Sequence, residues 1–323
     1  MSGLARKFAD AAMRAWPGLT ILAIAGFWFL LWAVLVPSPA FLGDGARQSA
    51  LVKPRDVTYI PSVAKLRQMF RRIDYNLDAV RKGDRMVPPI YIASVPNGMG
   101  QISHPAERKH LFLRMMLPLV LKANDSVRRK RENLLRIRRS LKKGKDLRDS
   151  DQIYLRNMAT QYGVHEPRVD LLLLRVDVLP VSIALAQSAI ESGWGTSRFV
   201  REGNAPFGQW TTASFDGIVP LERDTGKTHK IRAFDNLYAA VRSYIHNLNT
   251  HRAYREFRTF RETMRGSGVH PLDSLALTAS LRAYSEKGNA YVRLLRSIIV
   301  ENDLLPFDSA QLGKHISGIR PDV

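Results

Sequence analysis

The apolar positions change their period several times along the chain, and each change marks an element. Leu19 to Val36 is an uncharged run holding Phe27, Trp28, Phe29 and Trp32. It is close to the roughly 20 residues that cross a bilayer, which predicts a membrane span. Val63 to Val80 has helical spacing in Leu66, Met69, Phe70, Ile73 and Leu77, predicting a short amphipathic helix. His110 to Leu121 is strongly apolar, and Leu134, Leu135, Ile137 and Leu141 punctuate the charged stretch after it. That pattern predicts a long helix with Gly144 as its break, then a second helix through Asp151 to Tyr162. Apolar helices follow over Val169 to Val178 and from Pro180 to Ile190.

The helical period is lost between Phe207 and Phe234. Asp216-Gly217 and Thr225-Gly226 are turn signals, and Ile218 to Leu221 and His229 to Phe234 are short strand candidates, so a small antiparallel lobe is predicted. Helical spacing returns over Leu237 to Asn249, Tyr254 to Met264, Leu272 to Leu281 and Ala290 to Glu301. In the last of these Tyr291, Leu294 or Leu295, and Ile298 form an apolar stripe. From Pro306 onward a poorly ordered tail is expected. The fold class read from this order is α+β, mainly α.

Charge adds a partner class. Lys and Arg outnumber Asp and Glu by 49 to 29 in 323 residues, a formal charge of +20, which favours an anionic partner without choosing among nucleic acid, phospholipid and acidic polymer. Ten of the basic residues lie between Arg128 and Lys145 against one acid, Glu132. They suit a solvated helical arm or an electrostatic hold on acidic wall polymer or anionic headgroups. Arg6, Lys7 and Arg14 precede the apolar run, which puts the amino terminus in the cytoplasm and the rest outside, although Arg47, Lys53 and Arg55 weaken the asymmetry. The competing reading is a cleaved signal peptide, with Pro37-Ser38-Pro39-Ala40 as the small-residue site. The run is longer than the usual core of about 7 to 15 residues, which favours an uncleaved anchor. An exported domain argues against a nucleic-acid role, and aromatics interleaved for base stacking are missing from the basic stretch. There is no cysteine, hence neither a disulfide framework nor a thiolate metal site.

The candidate chemistry sits in Gln187-Ser-Ala-Ile-Glu191-Ser-Gly-Trp194-Gly-Thr-Ser197. A helix beginning near Pro180 ends there on a lone carboxylate, followed at once by a tryptophan and two glycines. Ile183, Ala186 and Ile190 fall on one face, assigned to the core. Glu191 shares the other side with Ala184, Gln187 and Ser188, small or polar residues that admit a ligand, so the acid is expected to look into a cleft. A carboxyl group there, partly shielded beside an indole, loses solvation of its charged form and its pKa rises toward neutrality. It can then act as a general acid. A surface glutamate at a frayed helix end is the plain alternative.

The stretch from Leu185 to Trp210, with Glu191-Ser-Gly-Trp-Gly and Asn204-Ala-Pro-Phe207-Gly-Gln-Trp210, resembles glycoside hydrolase family 73, the bacterial β-N-acetylglucosaminidases, and within it the membrane-tethered Bax-like branch. Ala233-Phe234-Asp235, Val241 to Tyr244, Asn247 to His251, Ala283-Tyr284-Ser285 and Tyr291-Val292 follow in family order, over roughly residues 167 to 302. The resemblance implies a lysozyme-like catalytic domain with a helical lobe and a small β lobe across a glycan groove. From Val36 to about Pro105 prolines and glycines alternate with basic residues and read as linkers. With the resemblance, the chain divides into a cytoplasmic amino terminus (1–15), a transmembrane signal anchor (16–37), a juxtamembrane linker with a short amphipathic helix (38–105), a basic helical arm (106–164), the glucosaminidase domain (165–305) and a tail (306–323).

By that resemblance Glu191 is the acid that protonates the oxygen leaving N-acetylglucosamine, cutting its β-1,4 bond to N-acetylmuramic acid in peptidoglycan. A second carboxylate is implied in the β lobe, where Glu222 is chosen over Asp224. The substrate's own acetamido oxygen is another route, and Tyr284, matching the family's cleft tyrosine, a third. Trp194, Asn204, Phe207, Trp210 and Tyr244 are expected at the substrate, with Gly208 in the turn beneath the acid. The chain departs from many relatives at Ala205 and Pro206, where they carry Asn then Leu, and at Ser243, where they carry an acid. Glycan strands and the membrane are the expected partners, with no nucleic acid, no metal and no organic cofactor. Neither a Gly-rich phosphate loop, a His-Glu-x-x-His pair nor a Gly-x-Ser-x-Gly elbow occurs. A lytic transglycosylase and a non-catalytic wall-binding scaffold are the rival readings.

Overall fold

The computed structural model describes residues 57–211, 217–219 and 230–313. The expected membrane span, Glu222 and Asp224 lie outside the described residues. Among the described residues no helix is long and apolar enough to cross a membrane.

The helices are α1 Val63–Arg72, α2 Leu77–Arg81, α3 Pro105–Lys142, α4 Asp149–Tyr162, α5 Val169–Arg175, α6 Val181–Ser192, α7 Arg198–Gly203, α8 Leu237–Thr250, α9 Arg255–Gly266, α10 Ser274–Leu277 and α11 Asn289–Glu301. Helical spacing placed most of them. Leu272 to Leu281, expected as one helix, is the short α10 followed by a 3₁₀ segment, Thr278–Tyr284. The sheet strands are β1 Trp210–Thr211, β2 Gly217–Ile218 and β3 Lys230–Arg232, antiparallel in the order β1-β3-β2. Ile231 of β3 faces both neighbours, opposite Trp210 and Ile218, and is buried. A Cβ at Gly217 would lie 2.7 Å from the Ile231 carbonyl oxygen, so β2 can approach β3 because that residue is glycine.

Helix α3 organises the core. Pro105 opens it, where a missing N–H costs nothing. Every residue from Leu111 to Leu121 except Arg114 is buried, and the helix packs on α5, α6 and α8. An all-round apolar helix has no solvent face and needs partners on every side, which is why this stretch is not a free arm. The basic half turns most of its charges outward, but Arg131 reaches in to Leu173 O, Val176 O and the Asp177 carboxylate, and Leu134 and Ile137 are fully buried. Arg136 and Arg148 both bind Asp151 at the start of α4, and Gly144, in the left-handed region, turns the chain between the two helices.

The composition of 57–105 suggests a linker, but Ile60, Leu66, Phe70, Leu77, Val87, Ile92 and Met99 are buried in the same core as α6. Its prolines and glycines shape turns around a packed layer. The expected disorder after Pro306 is corrected as far as Gly313. Phe307 is fully buried, Leu312 bridges to Val87, and Asp308 accepts from Ser182 N and Ser182 Oγ, each at 2.8 Å. That carboxylate caps the start of α6 from a segment 126 residues away.

Candidate active site

Helix α6 is the most enclosed helix among the described residues. Val181 through Ala189 are all buried, including Ala184, Gln187 and Ser188. The face expected to open onto a cleft is therefore packed, because α3 covers one side and α11 the other. Asn124 of α3 fixes the entry to α6, giving its Nδ2 to Leu179 O at 2.7 Å and accepting from Leu179 N at 3.1 Å. Only the last turn reaches accessible surface, with Ile190 and Glu191 partly exposed.

The sequence after Glu191 builds an abrupt exit. Gly193, Trp194 and Gly195 all have positive φ, at 57°, 59° and 82°. Glycine adopts this region freely, whereas a tryptophan there costs roughly 1–2 kcal/mol. Ser192 holds the turn: its Oγ donates to Ser188 O at 2.6 Å and accepts from Gly195 N at 3.0 Å. A Cβ at Gly195 would come within 3.1 Å of the Phe112 ring. Ser197 then caps α7. The spacing Glu-Ser-Gly-Trp-Gly-Thr-Ser thus converts a buried helix into a carboxylate at its rim.

Burial, above all else, raises the Glu191 carboxyl from 4.5 to about 7, against a hydrogen bond from Tyr291 and the charge of Lys287, which both favour the ionised form. Tyr291 donates to Glu191 Oε1 at 3.1 Å. Its own oxygen accepts from Gln187 Nε2 at 2.9 Å, and Gln187 Oε1 accepts from Tyr244 at 2.5 Å. This is a polarised chain. With the Gln187 amide pointed at Tyr291, the Tyr291 proton is left for Glu191, and the Tyr244 proton fixes which way the amide faces.

Around that chain stands a wall of rings. Phe207 stacks on Tyr244 with centroids 3.8 Å apart, and Tyr284 stacks on Tyr291 at 5.5 Å and meets Tyr244 edge-on at 6.4 Å. Tyr284 gives its hydroxyl proton to Phe207 O at 3.3 Å, tying the turn after α7 to the 3₁₀ segment. Burial, and after it the Glu191 charge, pushes the Tyr284 and Tyr291 hydroxyls well above their ordinary values, so both remain proton donors.

The expected substrate contacts separate in the structure. Tyr284 is beside the acid and half-buried. Phe207 and Tyr244 are buried and form the wall behind it, with no face left open to a sugar. Trp194, expected as the shield, packs edge-on against Phe112 with Lys109 above its ring at 5.1 Å. The rings linked to Glu191 are tyrosines. Asn204 closes α7 in the left-handed region and gives its Nδ2 to Phe234 O at 3.0 Å, joining the helix end to the β lobe. Trp210 is half-buried in β1. Ala205 and Pro206, the departures in this turn, are buried and leave Phe207 on the wall. Gln187 and Tyr291 are positions linked to the acid that the sequence reading left out of the site. Their signal was present, a lone glutamine on a helix of apolar and small residues and a tyrosine heading the stripe of α11. Among the described residues no group of histidine and carboxylate side chains could hold a metal ion.

Tyr291→Phe removes the bond that favours the carboxylate, so the Glu191 pKa should rise further. Hydrogen bonds to charged groups contribute on the order of 1.5 kcal/mol, about one pKa unit. The alkaline limb of the rate profile should move up by about that much, read from kcat against pH.

Comparison with known proteins meets this geometry. The family model for mannosyl-glycoprotein endo-beta-N-acetylglucosaminidase, or glucosaminidase, matches residues 167–304, from the start of α5 past the end of α11. Protein bax of Escherichia coli (strain K12) is 29% identical over 204 residues, which is 61% of this chain and 71% of that protein. The peptidoglycan hydrolase FlgJ of Salmonella typhimurium is 36% identical over 70 residues, 19% of this chain and 22% of that protein. No solved structure matches. With Glu191, Gln187, Tyr284 and Tyr291 all inside the matched segment, residues 167–304 carry a glucosaminidase domain, similar to that of the Bax-like branch, and the domain is that of a glycoside hydrolase.

Proposed function

We propose that this chain is a peptidoglycan hydrolase that cuts the β-1,4 bond between N-acetylglucosamine and N-acetylmuramic acid, with Glu191 as the general acid. The observation that carries this reading is the Glu191 carboxyl, sheltered at the rim of α6, raised to about 7 and held by Tyr291. At neutral pH a large fraction is protonated and can give its proton to the bridging oxygen as the bond to the anomeric carbon breaks. Water then adds its hydroxyl to that carbon. Either Glu222 takes the water's other proton, or the substrate's acetamido oxygen first attacks the anomeric carbon and water then opens the ring so formed, giving its proton to the Glu191 carboxylate; Tyr284 orienting water or sugar is the third route. The relative named a peptidoglycan hydrolase supports the substrate class.

Digestion of purified peptidoglycan with the full chain, wild type beside Glu191→Gln, tests the reading by the mass of the new ends. Hydrolysis at this bond leaves reducing N-acetylglucosamine, whereas 1,6-anhydromuramic ends assign the chain to transglycosylation. A Glu191→Gln protein as active as wild type removes the acid from its role. Leu19 to Val36, preceded by Arg6, Lys7 and Arg14, supports a single-pass inner-membrane anchor with the catalytic domain in the periplasm. A topology reporter fused at residue 100 should then read as exported, and a cytoplasmic signal overturns that placement.

A further inference from the structure

The outer side of α11 forms a recess in which positive charge is in excess. Arg282, Arg293, Arg296, Asn289, Val292 and Glu256 line an open cleft of about 460 Å³, within the size range of ligand sites. Three guanidinium groups face one carboxylate there. That carboxylate is taken, since Arg282 Nη2 lies 3.2 Å from both oxygens of Glu256. Arg296 is fixed from behind, its Nε donating to Thr278 Oγ1 at 2.8 Å and its Nη2 to Leu275 O at 3.0 Å. Among the described residues Arg293 has no ion-pair partner, and Arg296 pairs with no carboxylate. A concave surface with fixed guanidinium groups in excess suits planar carboxylates, which the arginine fork accepts two bonds at a time.

The cleft shares its walls with the catalytic centre. Helix α11 carries Tyr291 to Glu191 on its inner side and Asn289, Val292, Arg293 and Arg296 toward the recess. Arg282 stands two residues before Tyr284, which stacks on Tyr291. A helix with its side chains is roughly 10–12 Å across, and an extended peptide covers about 3.3–3.6 Å per residue. The way around the helix surface, half the circumference, is roughly 16–19 Å, so a peptide of about five residues attached to a sugar beside Glu191 reaches the arginines.

Resting on the peptidoglycan reading above, we propose that this cleft binds the carboxylates of the acidic peptide carried by the glycan strand, so that the enzyme prefers peptide-bearing strands over bare glycan. Asn289 supplies amide groups for the peptide backbone. Inorganic phosphate or a lipid phosphate offers a single anionic group, whereas carboxylates spaced along a peptide can meet Arg293 and Arg296 separately.

The test measures kcat/KM of the full chain on peptidoglycan with its peptides intact and on the same strands stripped of peptide by an amidase. Wild type should favour the intact strands by roughly tenfold or more, the discrimination expected when a buried or fixed charge loses its partner. Arg282→Gln with Arg293→Gln should bring that ratio toward one, mainly through KM on the intact strands. Arg72→Gln, an exposed arginine at the end of α1 and outside the cleft, should leave the ratio at the wild-type value, and thermal melting of each variant confirms that it folds. Equal ratios in wild type and the double variant overturn the proposal. So does inhibition of intact-strand cleavage by inorganic phosphate as strong as that by the released peptide. If wild type cuts neither substrate, the hydrolase reading itself has failed, a result separate from loss of the preference.

Discussion

Glu191→Gln is expected to lower turnover roughly 10²- to 10⁴-fold, the range a positioned general acid supplies, and to make the protein more stable at alkaline pH. The amide keeps the shape of the side chain and still accepts from Tyr291, but it has no proton to release. The gain in stability follows from the cost of burying a charge at the end of α6. The carboxyl titrates at an ordinary 4.5 in the unfolded chain and at about 7 in the folded protein. Below 4.5 it is neutral in both states. Between the two values the unfolded chain gives up its proton while the folded protein keeps it, so stability falls as pH rises, and the loss is complete above about 7. At 1.36 kcal/mol per unit this is on the order of 3 kcal/mol. Denaturation midpoints should therefore separate in favour of Glu191→Gln at about pH 8.5 and coincide near pH 4. Midpoints that coincide at both would mean the carboxyl carries no burial cost.

Asp177→Ala is expected to destabilise the fold by about 3–5 kcal/mol, a large part of the roughly 5–15 kcal/mol that holds a domain together. Asp177 lies in the connection between α5 and α6, 1% exposed, and Arg261 of α9 is equally enclosed. Arg265 binds both carboxylate oxygens, at 2.8 and 3.0 Å, while Arg261 Nε and Arg131 Nη1 each stand 3.7 Å away. Arg261 also reaches the carbonyls of Asp177 and Val178, at 3.3 and 3.2 Å, and Asn249 donates to Asp177 O at 2.9 Å. Removing the carboxylate leaves a buried guanidinium without its counter-charge beside two more cations. Burial alone pushes the Asp177 pKa up, but Arg261, Arg265 and Arg131 outweigh it and hold the group below its ordinary 3.8. For a depressed acid the contribution is present above the unfolded value and lost as pH falls through the folded one. The gap between wild type and Asp177→Ala should be full at neutral pH and shrink below about pH 3.8. Urea unfolding over that range measures it, and a neutral-pH difference under about 1 kcal/mol contradicts the role given to this knot.

How far the sequence could be read depended on whether a feature was local. The carboxylate of Glu191, the glycines that stop α6 and the helical stripes of α8 and α11 are written within one or two turns, and they were found there. The β lobe was expected, but β1 was not: two residues, Trp210 and Thr211, carry no alternation of their own and become a strand only by pairing with β3. The wall around the acid was the least legible part. Gln187, Tyr244 and Tyr291 are separated by 57 and 104 residues from the glutamine outward, and no spacing rule joins them. The tryptophan next to the acid in sequence was the natural shield, yet a left-handed turn swings it onto Phe112 and leaves the tyrosines in its place. Composition misled for 57–105, since prolines and basic residues that read as a linker surround a packed layer. It misled for α3 too, where eight basic residues from Arg128 to Lys142 drew attention from the apolar half that forms the core.

The claim on which the account depends is that the Glu191 carboxyl still holds its proton near neutral pH. Its side-chain carboxyl carbon resonance, assigned by its loss in Glu191→Gln and followed across a pH titration of the folded protein, measures this directly. The account predicts a midpoint near 7, with kcat falling through the same range as pH rises. A midpoint at the ordinary 4.5 would contradict it.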